Sequence, residues 1–564
     1  MMARRLLAGL ALAACLQQAG ADTLDVAWWK DGKLSALRLA DAGASDANAF
    51  DGSRMVPLGS LWKLFVYVYA DQAKLPTPDY TCTGQRPNDE VYCCETGQRV
   101  GRDAALAQSC GLFFAPARLN LTRRPWQAYW QARLGQATEG QFAWLADPAT
   151  LAPEKMVRLD ALLKVLASLP AASRADAETA LLHVVLGGRG ADSVRYLGSQ
   201  LRVKTYSWHE QNNPQRRLGG AAGWLTDGTP LWFGGADTSH AIMQKWAPRL
   251  VQVLPAADAG GDGGCVLVDF FARYPLRSVS GPQGPATPGS LVGRHSVQFE
   301  NGNALAFTSH GEMVLERDAD GRAHLQGRMS VNEYVARVID REGSTAAPEA
   351  AKALAIAARS YLQQNAVAKA GCQQIADSSA RQRVSPNAGS ANARALARWT
   401  DQLVLAGPQV RYHSDRAAPN TLVWRSAVEQ AGQGRRFDDI LAAAYPSAEL
   451  TTIGGGIGLR CVRLAPAEAW LKREIPRWEK ALRAEAGYER PAEAPFVCEL
   501  ASGLPYSEQS RNRIFVRQLS TREDRITLAH EYVHLGLRGH PHGQDEALVE
   551  RIARRLVDLN LEAM

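Results

Sequence analysis

A chain of 564 residues with 64 Lys and Arg against 57 Asp and Glu carries a formal charge of only +7, with no block of like charge. That balance excludes a nucleic-acid binder, whose basic residues would cluster, and leaves a weak attraction to anionic polymers. The length suits about three or four domains, and no internal stretch reaches the roughly 20 apolar residues of a membrane span.

The N-terminus has the layout of an export signal: Arg4-Arg5, an apolar run from Leu6 to Ala14, and Ala19-Gly20-Ala21 as a cleavage site before Asp22. Leu12-Ala13-Ala14-Cys15 offers a second processing site, similar to a lipoprotein signal in which Cys15 carries the lipid. The mature protein is therefore expected in the periplasm, touching a membrane only if lipidated at Cys15. Eight further cysteines, Cys82, Cys93, Cys94, Cys110, Cys265, Cys372, Cys461 and Cys498, suit disulfides in that compartment, grouped four, two and two by domain.

Residues 22–255 form the first segment. Gly59-Ser60-Leu61-Trp62-Lys63 opens an apolar helix and puts a hydroxyl and an amine one turn apart, so that a neutral Lys63 could deprotonate Ser60. The plainer reading of Ser60 is an N-cap. Ala104 to Phe114, containing Ser109-Cys110-Gly111, and Val203-Lys204-Thr205-Tyr206 followed by Leu231-Trp232-Phe233-Gly234-Gly235 come next in order. Together these three motifs resemble those of penicillin-binding transpeptidases and serine β-lactamases, which implies an α/β domain with Ser60, Lys63 and Lys204 as catalytic groups. Two positions depart from the pattern: Gly111 stands where an Asn would contact substrate, and Tyr206 replaces a Gly beside the strand edge, which its bulk is expected to crowd.

Residues 256–264, small and Gly-rich, read as a linker to a second segment, 265–450. Alternating runs at Val297-Gln298-Phe299 and Ala304-Leu305-Ala306-Phe307 predict strands, and an Ala-rich helix is expected from Pro348 to Leu362. Ser330-Val331-Asn332-Glu333-Tyr334, Ile375 to Ser379 with Gln382, Arg411-Tyr412-His413-Ser414 and Phe437-Asp438-Asp439-Ile440-Leu441 occur in an order that resembles the SpoIID/LytB family. The resemblance implies an α+β fold and lytic transglycosylase chemistry on glycan strands, with Glu342 as the acid. One carboxyl could protonate the glycosidic oxygen and then take the proton of the sugar's 6-hydroxyl. The plainer reading of Glu342 is a charge at the start of a helix, near its dipole. Asp415 to Pro419 replaces the Cys- and Gly-rich stretch of some family members, which argues against a metal at His413.

The last segment, 451–564, carries His530-Glu531-Tyr532-Val533-His534. On a helix this pentad sets two imidazoles one turn apart on one face, the spacing that holds a zinc ion, and places Glu531 to act as general base on water. Ser520-Thr521-Arg522-Glu523 reads as the capping box that starts the helix. The third metal ligand is expected to be Glu546, with His540 and Asp545 as alternatives, and Glu550 is placed to orient a histidine. A helix around Glu468 to Glu485 should be broken or kinked by Pro476.

The pentad resembles the zincins, which implies a small α+β metallopeptidase module. The set Cys498, Gly503-Leu504-Pro505-Tyr506, Arg513-Ile514 and His530 to Glu546 resembles a family of secreted bacterial proteins, some found beside bacterial α2-macroglobulin-like envelope proteins, which are therefore conceivable partners. A multidomain α+β protein of these three parts is expected to act on peptidoglycan or muropeptides. Zinc-dependent peptide or amide hydrolysis is its leading activity and transglycosylase-like cleavage a further one. The alternative is a scaffold or envelope-defence protein whose folds bind the wall without chemistry.

Overall fold

In Thr23–Lys30 and Leu201–Glu210 the two-residue period of a strand sends successive side chains to opposite faces of one sheet. Leu24, Val26, Leu201 and Val203 pack on helix Ser239–Val253, while Ala27, Tyr206, Trp224 and Trp232 pack on the opposite layer of helices. The sheet is antiparallel throughout, in the order Ser45–Ala47, Lys33–Ala40, Thr23–Lys30, Pro230–Ala236, Asn213–Leu225, Leu201–Glu210. Helix Trp62–Gln72 is buried from Trp62 to Asp71, as a helix apolar on all sides must be. Its one buried acid, Asp71, is paired with Arg102 at 3.0 Å.

The computed structural model describes residues 23–41, 45–47, 50–82, 97, 99–135, 140–187, 192–210, 213–255, 264–378, 382–406, 410–446, 448–453, 464–491, 494–500, 505–508, 512–537 and 540–559. The signal segment, nearly all of the linker, and Cys93, Cys94 and Cys461 lie outside them. Among the described residues no helix is long and apolar enough to cross a membrane.

The second sheet has eight strands, from Gly284–Pro285 at one edge to Val367–Lys369 at the other. The expected runs lie in strands Gly289–Phe299 and Ala304–Arg317. Cys265 and Cys372 are joined by a disulfide across the parallel pair Cys265–Phe270 and Cys372–Ala376, and Cys82, Cys110 and Cys498 are also disulfide-bonded. Helices Val331–Glu342 and Pro348–Asn365 share the apolar core of this sheet.

The first two segments interlock. Strand Val184–Val185 of the first pairs with Glu449–Thr452, which pairs in turn with Leu403–Ala406. The expected junction between 450 and 451 thus falls inside a strand. His183 and Glu449, both buried, approach to 3.1 Å at this seam.

The last segment sets strands Phe496–Glu499, Arg513–Val516 and Tyr506–Glu508 beside helices Ala465–Leu482, Arg522–Gly536 and Glu546–Asp558, around Trp478, Ile514, Ala529, Val533, Ile552 and Leu556. Helix Ala465–Leu482 continues through Pro476 instead of breaking there. The packing of Trp470, Leu471, Ile475 and Trp478 on the core outweighs the one backbone hydrogen bond that proline removes.

Candidate metal centre and neighbouring sites

Helix Arg522–Gly536 starts one residue later than the predicted box. Thr521 accepts from the Asp524 backbone N–H, and the Asp524 carboxylate accepts from that of Thr521. A helix begun there carries His530 and His534 on one face, toward the start of helix Glu546–Asp558. His530 Nε2 lies 3.0 Å from His534 Nε2 and 3.1 Å from Glu546 Oε2, and His534 Nε2 lies 3.6 Å from the same oxygen. Ligand atoms about 2.1 Å from a tetrahedral zinc ion stand about 3.4 Å apart, so the three atoms converge at the separation one ion requires.

The far side of each imidazole is also engaged. His530 Nδ1 meets Glu550 Oε2 at 3.0 Å, and His534 Nδ1 meets the Gly543 carbonyl at 3.0 Å. A donor at Nδ1 fixes the tautomer that leaves the Nε2 lone pair facing the cluster. Glu531, 6% exposed, keeps one carboxylate oxygen without a hydrogen-bond partner among the described residues, an orphan that a water could satisfy. Burial raises the Glu531 carboxyl above its usual range, against the lowering effect of His530 and His534. Burial opposes charge on His530, but Glu546, Glu531 and Glu550 outweigh it and raise the imidazole to about 9. Burial also opposes charge on Glu546, yet hydrogen bonds from both histidines and the charge of Arg411 hold it well below the usual carboxylate range. A cation and protons therefore compete for the same nitrogens, and binding one releases the other.

The two alternative ligands are occupied elsewhere. Asp545 caps helix Glu546–Asp558, accepting from the Leu548 N–H at 3.1 Å. His540 accepts from the His542 N–H at 3.2 Å and is packed against Gly487. Among the described residues, His530, His534 and Glu546 are the one group placed to hold a metal ion. His413 is half exposed, and its Nδ1 accepts the backbone N–H groups of Asp415 and Arg416.

Glu342 ends helix Val331–Glu342 rather than starting it, so the dipole there disfavours its charge. Arg383 compensates: its backbone N–H donates to Oε1 at 2.8 Å, and its guanidinium reaches both carboxylate oxygens at 3.2 and 3.3 Å. A cavity of about 280 Å³ adjoins this pair, lined by Tyr274, Phe299, Asn303, Arg341, Asp377 and Arg383 among others.

Ser60 sits in the 3₁₀ turn Gly59–Leu61, not at an N-cap, and Lys63 Nζ donates to its hydroxyl at 3.3 Å. Lys204 is buried, and desolvation together with the charge of Lys63 lowers its amine to about 7. Tyr206 points into the fold. Its ring is 2% exposed and lies across Gly59, whose φ of +49° and missing side chain make room for it, and Trp232 Nε1 donates to its hydroxyl at 3.1 Å. Gly111 begins the short helix Gly111–Phe114 and has no side-chain amide to offer a ligand.

The family model for a predicted secreted protein, DUF2300, matches residues 85–215 and 420–542, and that for the stage II sporulation protein SpoIID matches residues 319–406. The uncharacterized protein YfaQ of Escherichia coli strain K12 is 44% identical over 522 residues, which span 92% of this chain and 93% of YfaQ. The chain belongs to the YfaQ family of secreted proteins. Similar solved structures include the C-terminal domain of the Bacillus licheniformis BlaR penicillin receptor, at 12% identity, 42% of this chain, 91% of that chain and a TM-score of 0.26. A class D β-lactamase from Sebaldella termitidis is similar at 8% identity, 41% of this chain, 87% of that chain and a TM-score of 0.26. Scores that low carry no argument about this chain.

In this YfaQ relative the motif residues fall into separate places: Ser60, Lys63 and Lys204 in the first segment, Glu342 in the second, and His530, Glu531, His534 and Glu546 in the third. Sequence reasoning assigned no role to Arg383, Gly543 or Arg411, although Arg411 Nη2 donates to Glu546 Oε1 at 2.6 Å. No spacing rule reaches a partner 135 residues away, and the only available signal was the place of Arg411 in a recognisable motif.

Proposed function

We propose that this exported protein is a periplasmic metallohydrolase of the cell wall, cutting peptide or amide bonds of peptidoglycan at His530, His534 and Glu546. The observation that carries the reading is the convergence of their three ligand atoms, 3.0 to 3.6 Å apart, beside a buried Glu531 oxygen that lacks a partner among the described residues. When bound there, zinc would supply Lewis acidity, making water more acidic and a carbonyl more electrophilic. Glu531 takes the proton of the attacking water and passes it to the leaving amine, a role for which its raised pKa suits it. Glu550 and the Gly543 carbonyl keep the imidazoles from turning. Support for a cell-wall substrate comes from the SpoIID match in a chain of a secreted family.

The test is metal content by mass spectrometry, followed by zymography on intact sacculi beside a denatured protein substrate. About one zinc per chain, with clearing of sacculi that Glu531→Ala abolishes, is the expected result. Cleavage of the denatured protein alone would make this a wall-localised protease, and absence of zinc after supplementation would defeat the metal reading. A second reading, a wall-binding scaffold, is favoured at the serine site, where Gly111 and Tyr206 replace the residues that transpeptidase chemistry uses.

A further inference from the structure

Glu546 uses its two oxygens differently. Oε2 faces both imidazoles, whereas Oε1 accepts the 2.6 Å bond from Arg411. Arg411 belongs to the middle segment, on strand Arg411–His413, which pairs in parallel with Thr421–Val423. Tyr445 donates its hydroxyl to the Arg411 carbonyl at 2.6 Å, so the backbone behind the guanidinium is fastened to the middle segment's own core. Among the described residues the buried Arg411 Nε has no hydrogen-bond partner, and Glu546 is the carboxylate with which this guanidinium pairs. The next residue, Tyr412, turns to the other side of the strand. There it packs edge-on against Tyr361, accepts from Gln382, and comes within electrostatic reach of Glu342.

A carboxylate with one oxygen held by a guanidinium has the other left to offer, and its last torsion is no longer free. Resting on the metal reading above, we propose that Arg411 is a positioning residue of the metal centre. It holds Glu546 as a one-oxygen ligand and makes the centre a joint product of the middle and last segments. A carboxylate clamping with both oxygens would take up a coordination position that a hydrolytic site must keep open for water and substrate. Orientation from outside the ligand set is a general feature of such sites, and its removal weakens metal binding roughly 10- to 100-fold.

The experiment uses the full chain. Zinc affinity is measured by competition with a chromophoric chelator, and the visible spectrum of the Co²⁺-loaded protein reports coordination number, for wild type, Arg411→Ala and Arg411→Lys. Thermal melting of the metal-free proteins checks the fold. Arg411→Ala is expected to lose about 10- to 100-fold in zinc affinity with a changed Co²⁺ spectrum, and Arg411→Lys to recover part of both. Wild-type affinity and spectrum in Arg411→Ala would overturn the proposal while leaving the metal reading intact. If wild type itself binds neither ion, the metal reading falls and this inference with it. Should Arg411→Ala fail to fold, Arg411→Lys decides alone: wild-type affinity and an unaltered spectrum count against the proposal, because a lysine cannot reproduce the guanidinium's grip.

Discussion

The serine site and the histidine site are both laid out on one helical turn, yet they differ in what completes them. Ser60 and Lys63, three apart, make their own contact at 3.3 Å, but the 109–111 and 203–206 stretches that the resemblance assigns to the same site lie far along the chain. There one motif lacks its amide, and the other gives its space to a tyrosine ring buried under Gly59. His530 and His534, four apart, meet Glu546 at the start of the following helix, where Asp545 caps the turn that presents it. Helix geometry alone sets the distance between side chains a few residues apart, whereas residues far apart in the chain meet only where the fold carries them.

The largest test of that contrast is the metal itself. His534→Ala should drop the zinc content from near one per chain to near none, whereas Ser60→Ala should leave it at the wild-type value. Mass spectrometry of the two purified proteins reads both. Glu531→Gln separates binding from chemistry: zinc should stay, and hydrolysis of sacculi should fall by about 10²- to 10⁴-fold. Equal loss of metal and activity would mean that Glu531 supports the fold rather than the reaction.

The serine site makes a pH prediction. Burial, and then the charge of Lys63, lower Lys204 from 10.5 to about 7. Between those values the unfolded chain binds more protons than the folded one, so this residue's contribution to stability rises with pH across that window. Denaturant melts of Lys204→Met should lack that part of the slope, and an unchanged slope would show that the amine stays charged in the fold. The smallest effect concerns acylation. Fluorescent penicillin should label wild type well below one per chain, and stoichiometric labelling lost in Ser60→Ala would put the two sites on an equal footing.

The seam between segments offers a further check of intermediate size. Replacing Glu449 by Gln leaves His183 buried without its carboxylate, and breaking such a pair costs about 3–5 kcal/mol. Chemical denaturation measures it, and a smaller loss would mean that water reaches the seam.

Much of the metal cluster was legible before any fold was known. An i,i+4 spacing fixes which face two imidazoles share, and a capping residue followed by Glu546 and Glu550 puts two carboxylates one turn apart on the next helix. The strands around Val297 and Leu305 were legible for the same local reason, the two-residue period of a half-buried strand. The capping box was misplaced by one residue because Thr521 and Asp524 compete on equal chemical terms with Ser520 and Glu523. Pro476 was read as a break or a kink because its local cost is visible in sequence and the packing of Trp478 that offsets it is not.

By itself, then, the amino-acid order determined the export layout, the helix bearing His530, Glu531 and His534, and the following helix that carries Glu546 and Glu550. These rest on spacings of a few residues, which backbone geometry converts directly into distance. Only the tertiary structure decided that Val184–Val185 would pair with Glu449–Thr452, that Tyr206 would turn inward beneath Gly59, and that Arg411 would reach Glu546. Each joins residues more than a hundred positions apart, and such pairs meet only where the topology of sheets and helices carries them.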